Sequence, residues 1–190
     1  DGTLSYLIPD LRDISGIDDC YFEGISENNL LIGRLSLMLY SLENDSAKDI
    51  LNELKVSNKI KSSVLSIINR MGVTPDPESK GCLRRYRMGL GEDIIPQLSA
   101  ERGLNSNNSD LLRSALSNLP PLQGGSEPLV DGHEISLRLG VKPSPELGLI
   151  KKWLFRIQVE YDLEDKSAVW EKAESLGFNL ESLGEHRMWV

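Results

Sequence analysis

The sequence predicts an all-α protein, and three observations carry that expectation. Apolar residues recur at three- and four-residue steps in one segment after another. No stretch shows the strict apolar–polar alternation of a half-buried strand. Ser, Asp, Gly and Pro stand at the ends of the periodic segments, where helix caps and stops belong. With 190 residues, 39% of them hydrophobic, the chain can bury a core as one elongated or two small domains. It carries no apolar run near the ~18 residues that a membrane span needs, and its acidic N-terminus has no signal-peptide pattern. The opening at Asp1 rather than Met is expected of a fragment or a processed chain.

The elements follow in order. Residues 1–25 read as a short helix or turn around Leu4, Leu7, Ile8 and Leu11, interrupted by Pro9, then a loop. Ser26 caps a helix over roughly 27–42, whose wide apolar face (Leu30, Leu31, Leu35, Met38, Leu39, Leu42) is core. Ser46 caps a short helix with Ala47, Ile50, Leu51 and Leu54. Ser57 or Asn58 starts another over 59–71, with Ile60, Val64, Ile67, Ile68 and Met71 inward. Lys55, Lys59 and Lys61 cluster at that turn, as a phosphate site or as ordinary helix-end solvation. After a Pro-containing break at 73–77, a helix from Glu78 carries Cys82, Leu83, Tyr86 and Leu90. Its run KGCLRRYRMG is the densest basic patch in the chain. Arg84 and Arg87 share a helix face with Arg85 beside them, and guanidinium forks suit phosphate oxygens.

Gly91-Glu92-Asp93 opens a helix with Ile94, Ile95, Leu98 and Ala100. The polar stretch from Asn105 leads to Ser109, the cap of a helix with Leu111, Leu112, Ala115, Leu116 and Leu119. LPPLQGGSEPLV is then a linker or a wrap. In the stretch from Asp131 to Asp162, Ile135, Leu137 and Leu139 precede Gly140, a helix stop. Ser144 caps the next helix, with Pro145 at its first position and Leu147, Ile150, Leu154, Ile157 and Tyr161 on its apolar face. Unbonded N–H groups at such a helix start attract anions; Lys142 sits just before the helix, and Lys151, Lys152 and Arg156 follow within it. A last helix runs from about Lys166 to Gly177 with Asp165 as cap, and 178–190 is a loose end. The domain reading is a helical body over 1–119, a linker over 120–130 and a small helical tail over 131–190.

Chemistry of its own is hard to find in this chain. The pairs Asp10/Asp13, Asp18-Asp19, Glu92-Asp93 and Glu164-Asp165 come with no Gly-Ser phosphate loop and no strand-borne Asp-x-Asp to hold paired metal ions. Two histidines, His133 and His186, cannot build a multi-His metal site or a defensible Ser-His-Asp arrangement. Cys20 and Cys82 lack metal-type spacing and read as free thiols of a reducing cytosol. The net charge of −8 opposes generic nucleic-acid binding, so any RNA contact must use local basic patches.

The string DGHEISLRLGVKPSPELGLIKKWL resembles the tail motif of bacterial tRNA nucleotidyltransferases (CCA-adding enzymes) and related poly(A) polymerases. The matching positions are Gly132, Leu139, Gly140, Val141, Pro143, Pro145, Leu147, Gly148 and Ile150; Glu134 stands where Asp is usual and Ser144 where Gly is usual. GTLSYLIPDLRDISGI is similar to the family's neck–body junction, and LKVSNK to its body. RLSLMLYSLEND lacks the His-Asp metal motif of several members, and Pro96 rules out matching Glu92-Asp93 to the family's nucleotide-selecting Glu-Asp-x-x-Arg.

The resemblance covers most of the chain but only the family's C-terminal body and tail. It implies a parent enzyme that transfers nucleotides from CTP or ATP, with magnesium, to the 3′ end of tRNA or another RNA. The catalytic head and neck would precede Asp1. This cytoplasmic portion, without catalytic residues, metal or cofactor of its own, would grip tRNA or another structured RNA through Arg84, Arg85, Arg87, Lys142, Lys151 and Lys152. Two other readings stand beside it: an all-α interaction module with no nucleic-acid role, and a helix-hairpin-helix DNA-binding element at 140–146.

Overall fold

The computed structural model describes residues 15–104 and 106–177. Among the described residues the fold is all-α, with nine α-helices, two 3₁₀ turns and no strand. The helices are α1 (Glu27–Leu39), α2 (Asn44–Glu53), α3 (Asn58–Ile68), α4 (Lys80–Leu90), α5 (Ile94–Leu104), α6 (Ser106–Ser117), α7 (Gly132–Leu139), α8 (Pro145–Tyr161) and α9 (Lys166–Ser175). The 3₁₀ turns are Ser15–Cys20 and Gly91–Asp93. The expected short helix or turn around Leu4–Leu11 and the loose end at 178–190 lie outside the described residues.

The chain divides into two compact units: residues up to Thr74 with Gly91–Ser114, and Pro75–Leu90 with residues from Ala115 onward. The division differs from a body over 1–119 and a tail over 131–190. Helix α4, which carries the arginines, belongs with the tail helices. The reason is a set of ties between residues far apart in sequence, described below, that no local pattern announces.

In the first unit α1 is the central helix. Ile32, Leu35, Leu37, Met38 and Leu39 are all buried, around more than one face, so the helix is enclosed rather than amphipathic. It packs on α3 and α5, and Ala47, Leu51, Val64, Ile67, Met71 and Ala100 complete the core. At Gly33 a Cβ would stand 2.5 Å from Ser99 Oγ, so only glycine lets α1 and α5 approach this closely. Ser99 in turn donates to the Cys20 carbonyl at 2.6 Å. Burial pushes the Cys20 thiol up to about 11, so it stays protonated and inert at neutral pH.

Several local expectations hold and others fail for visible reasons. Ser26 caps α1 and Ser57 caps α3, each accepting a backbone N–H at 3.3 Å. α1 ends at Leu39, short of 42, and α3 at Ile68, short of 71. Ser46 is not a cap: α2 begins at Asn44, and Glu43 takes the cap position without a side-chain bond. Ser109 is not a cap either: α6 begins at Ser106, which puts the buried Ser109 inside the helix. Two of the three lysines at the α2–α3 turn have partners within the unit. Lys59 pairs with Glu92 at 2.9 Å and Lys61 donates to Asn52 Oδ1.

The second unit is organised by α8. Ile150, Trp153, Leu154 and Ile157 of α8 meet Ile135 of α7, Val169, Trp170 and Ala173 of α9, and Val130. Leu137 is not part of this core: it is 72% exposed on the outer side of α7. The stretch 120–130 is a fitted wrap. Gln158, only 2% exposed, donates through Nε2 to the Glu127 carbonyl at 2.9 Å and accepts the Leu129 N–H at 2.9 Å. An amide is suited to this because it offers a donor and an acceptor to an irregular backbone that would otherwise be buried unsatisfied.

Candidate nucleic-acid interface

The hairpin between α7 and α8 forms by the local chemistry its sequence states. Asp131 caps α7, accepting the Glu134 N–H at 2.9 Å, and that bond holds the Asp131 carboxyl below the usual carboxylate range. Gly140 ends α7 at φ 67°, a left-handed conformation that favours glycine. Ser144 caps α8 through the Leu147 N–H at 3.4 Å, with Pro145 at the first helical position. Serine at this position therefore strengthens the helix start.

Glu134, where the resembled motif has Asp, fastens α7 to α9. Its two oxygens accept Lys166 Nζ at 2.8 Å and Trp170 Nε1 at 3.1 Å. The bonded Lys166 ammonium, with help from the Trp170 N–H, holds the Glu134 carboxyl low. Arg138 lies over the Trp170 ring at 4.6 Å and pairs with Glu174 at 2.8 Å. The charges between α7 and α9 are thus matched within the unit.

The three arginines of α4 have internal acceptors. Arg84 Nη2 meets Asp162 Oδ2 at 2.7 Å, with the two side chains only 14% and 10% exposed. Asp162 sits in a left-handed conformation (φ 56°) at the end of α8, and its Oδ1 also accepts the Gln123 N–H at 2.8 Å. Arg85 pairs with Glu160 at 3.2 Å, and Arg156 approaches the same oxygen at 3.6 Å. Arg87 donates to the Leu119 and Pro120 carbonyls at 2.9 and 2.7 Å. The arginine-rich run, expected to contact phosphate, is engaged in holding α4 to the end of α8 and to the start of the wrap.

Lys142, Lys151 and Lys152 are arranged differently. All three side chains are exposed, and none has a hydrogen bond or ion pair to a described residue. Lys142 stands two residues before the α8 cap. Lys151 and Lys152 follow about 10 Å along the helix at 1.5 Å rise per residue, away from the side that buries Ile150, Leu154 and Ile157. Gly148 lies one turn before them on the same outward side, and a Cβ built there meets nothing within 4 Å.

Among the described residues no group of three or more His, Cys, Asp or Glu side chains is placed to hold a metal ion. None of the described helices is long and apolar enough to cross a membrane. Compared with models of protein families, with curated proteins and with solved structures, the chain matches none.

Proposed function

We propose that this chain grips structured RNA as the C-terminal portion of a nucleotidyltransferase of the CCA-adding and poly(A) polymerase type. In this reading RNA meets the α7–α8 hairpin. The observation that carries it is that Lys142, Lys151 and Lys152 stand exposed and unpaired on one hairpin of a protein with net charge −8. Acidic partners are plentiful in such a chain, and ammonium groups left without them suit an external polyanion. Gly148 supports the same surface, because an outward helical glycine with no internal neighbour leaves room for a phosphate backbone to come close. The tail-motif resemblance supports the family. Nucleotidyl transfer and its magnesium belong to the head of the parent enzyme, in the cytoplasm. The hairpin supplies phosphate contacts and recognition of duplex shape, and the arginines of α4 have no part in it.

The test is a binding assay with tRNA at low and moderate salt, competed with duplex DNA. Reversal of Lys142, Lys151 and Lys152 to Glu weakens tRNA binding, and tRNA outcompetes DNA. Stronger competition by DNA would favour a helix-hairpin-helix role. The net charge of −8 is the ground for an all-α protein-interaction module, and absence of tRNA binding at every salt concentration would decide for that reading.

A further inference from the structure

A cleft of about 240 Å³ opens in the first unit among Gly72, Thr74, Glu101, Leu104, Asn108 and Ser109. Glu101 lines it and is only 4% exposed. Its Oε1 accepts two bonds, from the Gly72 N–H and from Gln97 Nε2, both at 2.9 Å. The bond from Gly72 fastens the turn after α3 to α5, and the bond from Gln97 lies within α5. Its Oε2 accepts none from a described residue, and no described basic side chain pairs with the carboxylate. Burial pushes the Glu101 carboxyl above the usual range, as follows when a carboxylate leaves water without a cation.

The structural tie uses one oxygen of Glu101, and the residue lines a cleft. We propose that this cleft binds a primary ammonium group on a short alkyl chain. A buried carboxylate is balanced by a cation, and an uncharged donor would satisfy the lone pair without offsetting the charge. A metal ion is a poor match, since the described residues offer no cluster of ligands. An ammonium has three donors. Glu101 Oε2 takes one, and Thr74 and Asn108, which also line the cleft, are residues with side-chain oxygens for the others. Leu104 offers apolar surface to the alkyl chain. The site is separate from the lysine hairpin and does not depend on RNA binding.

A free diamine and a lysine side chain of another protein both present this group, and two probes separate them: putrescine and Nα-acetyl-lysine methylamide. The readout is the Gly72 amide in an NMR titration of the full chain, because its N–H is bonded to Glu101. At constant ionic strength the Gly72 resonance shifts saturably with one or both probes. Putrescine alone identifies a free amine, the lysine derivative alone a protein side chain, and both together a site that reads the ammonium itself. Glu101→Gln, which keeps the bonded oxygen, abolishes the saturable shift. Asn108→Trp, at an exposed rim position, abolishes it by closing the cleft while leaving Glu101 in place. No saturable shift with either probe, or a shift undiminished in Glu101→Gln, overturns the proposal.

Discussion

Gly148 and Glu101 each hold a conformation or a charge that the fold alone would not choose. An interior helical glycine costs about 0.5–1 kcal/mol relative to alanine, and nothing around Gly148 would obstruct a methyl group. Gly148→Ala should therefore raise stability by about that amount in urea denaturation and yet weaken tRNA binding. A variant that gains stability and binds tRNA unchanged would remove Gly148 from the interface. For Glu101 the sign follows from its raised pKa. The fold favours the protonated carboxyl, so this contribution is complete below the unfolded-state pKa and is lost as pH rises through the folded-state value. Glu101→Gln, permanently neutral, should be more stable than the parent at pH 7, with the gap shrinking as pH falls through the folded-state pKa and constant below the unfolded-state value of about 4. Denaturation midpoints at the two pH values check it. At this scale the caps Ser26, Ser57, Ser144 and Asp165 were legible because a cap bonds three residues ahead. The roles of Glu101, Glu134 and Gln158 were not, because each is tied to a partner 29 to 36 residues away.

Helix α4 shows how a basic patch can mislead. Its density of arginine was plain in the sequence, but the Arg84 acceptors, Glu160 and Asp162, are 76 and 78 residues distant. Only the fold brings them near. Removing one member of a pair this poorly exposed leaves the other charge uncompensated, at a cost of about 3 kcal/mol. Arg84→Ala should thus lower the unfolding free energy by about that much, while the folded variant binds tRNA with unaltered salt dependence. A stable variant with weakened tRNA binding would return α4 to the interface. Helix α8 is the opposite case. Its cap, its proline and the burial of Ile150, Leu154 and Ile157 all follow from the sequence pattern. The starts of α2 and α6 were misplaced because Ser46 and Ser109 resemble caps but sit inside helices that had already begun.

For the whole molecule, the all-α class was legible because helical periodicity is local and repeated. The division into two units was not, because it rests on the same distant ties that bring α4 to the tail helices. The net charge of −8 puts a limit on any RNA contact. Repulsion between an acidic chain and RNA leaves few places for phosphates, and the hairpin lysines are exposed and unpaired. The most direct test is the salt dependence of tRNA affinity for the parent and for the variant with Lys142, Lys151 and Lys152 reversed to Glu. Each phosphate that is no longer neutralised takes roughly 0.7–0.9 off the slope of log affinity against log salt, because fewer counterions are released on binding. The account predicts a slope shallower by about 2 in the variant, with its unfolding midpoint unchanged. An identical slope in the two proteins, or a parent that binds no tRNA at low salt, would contradict it.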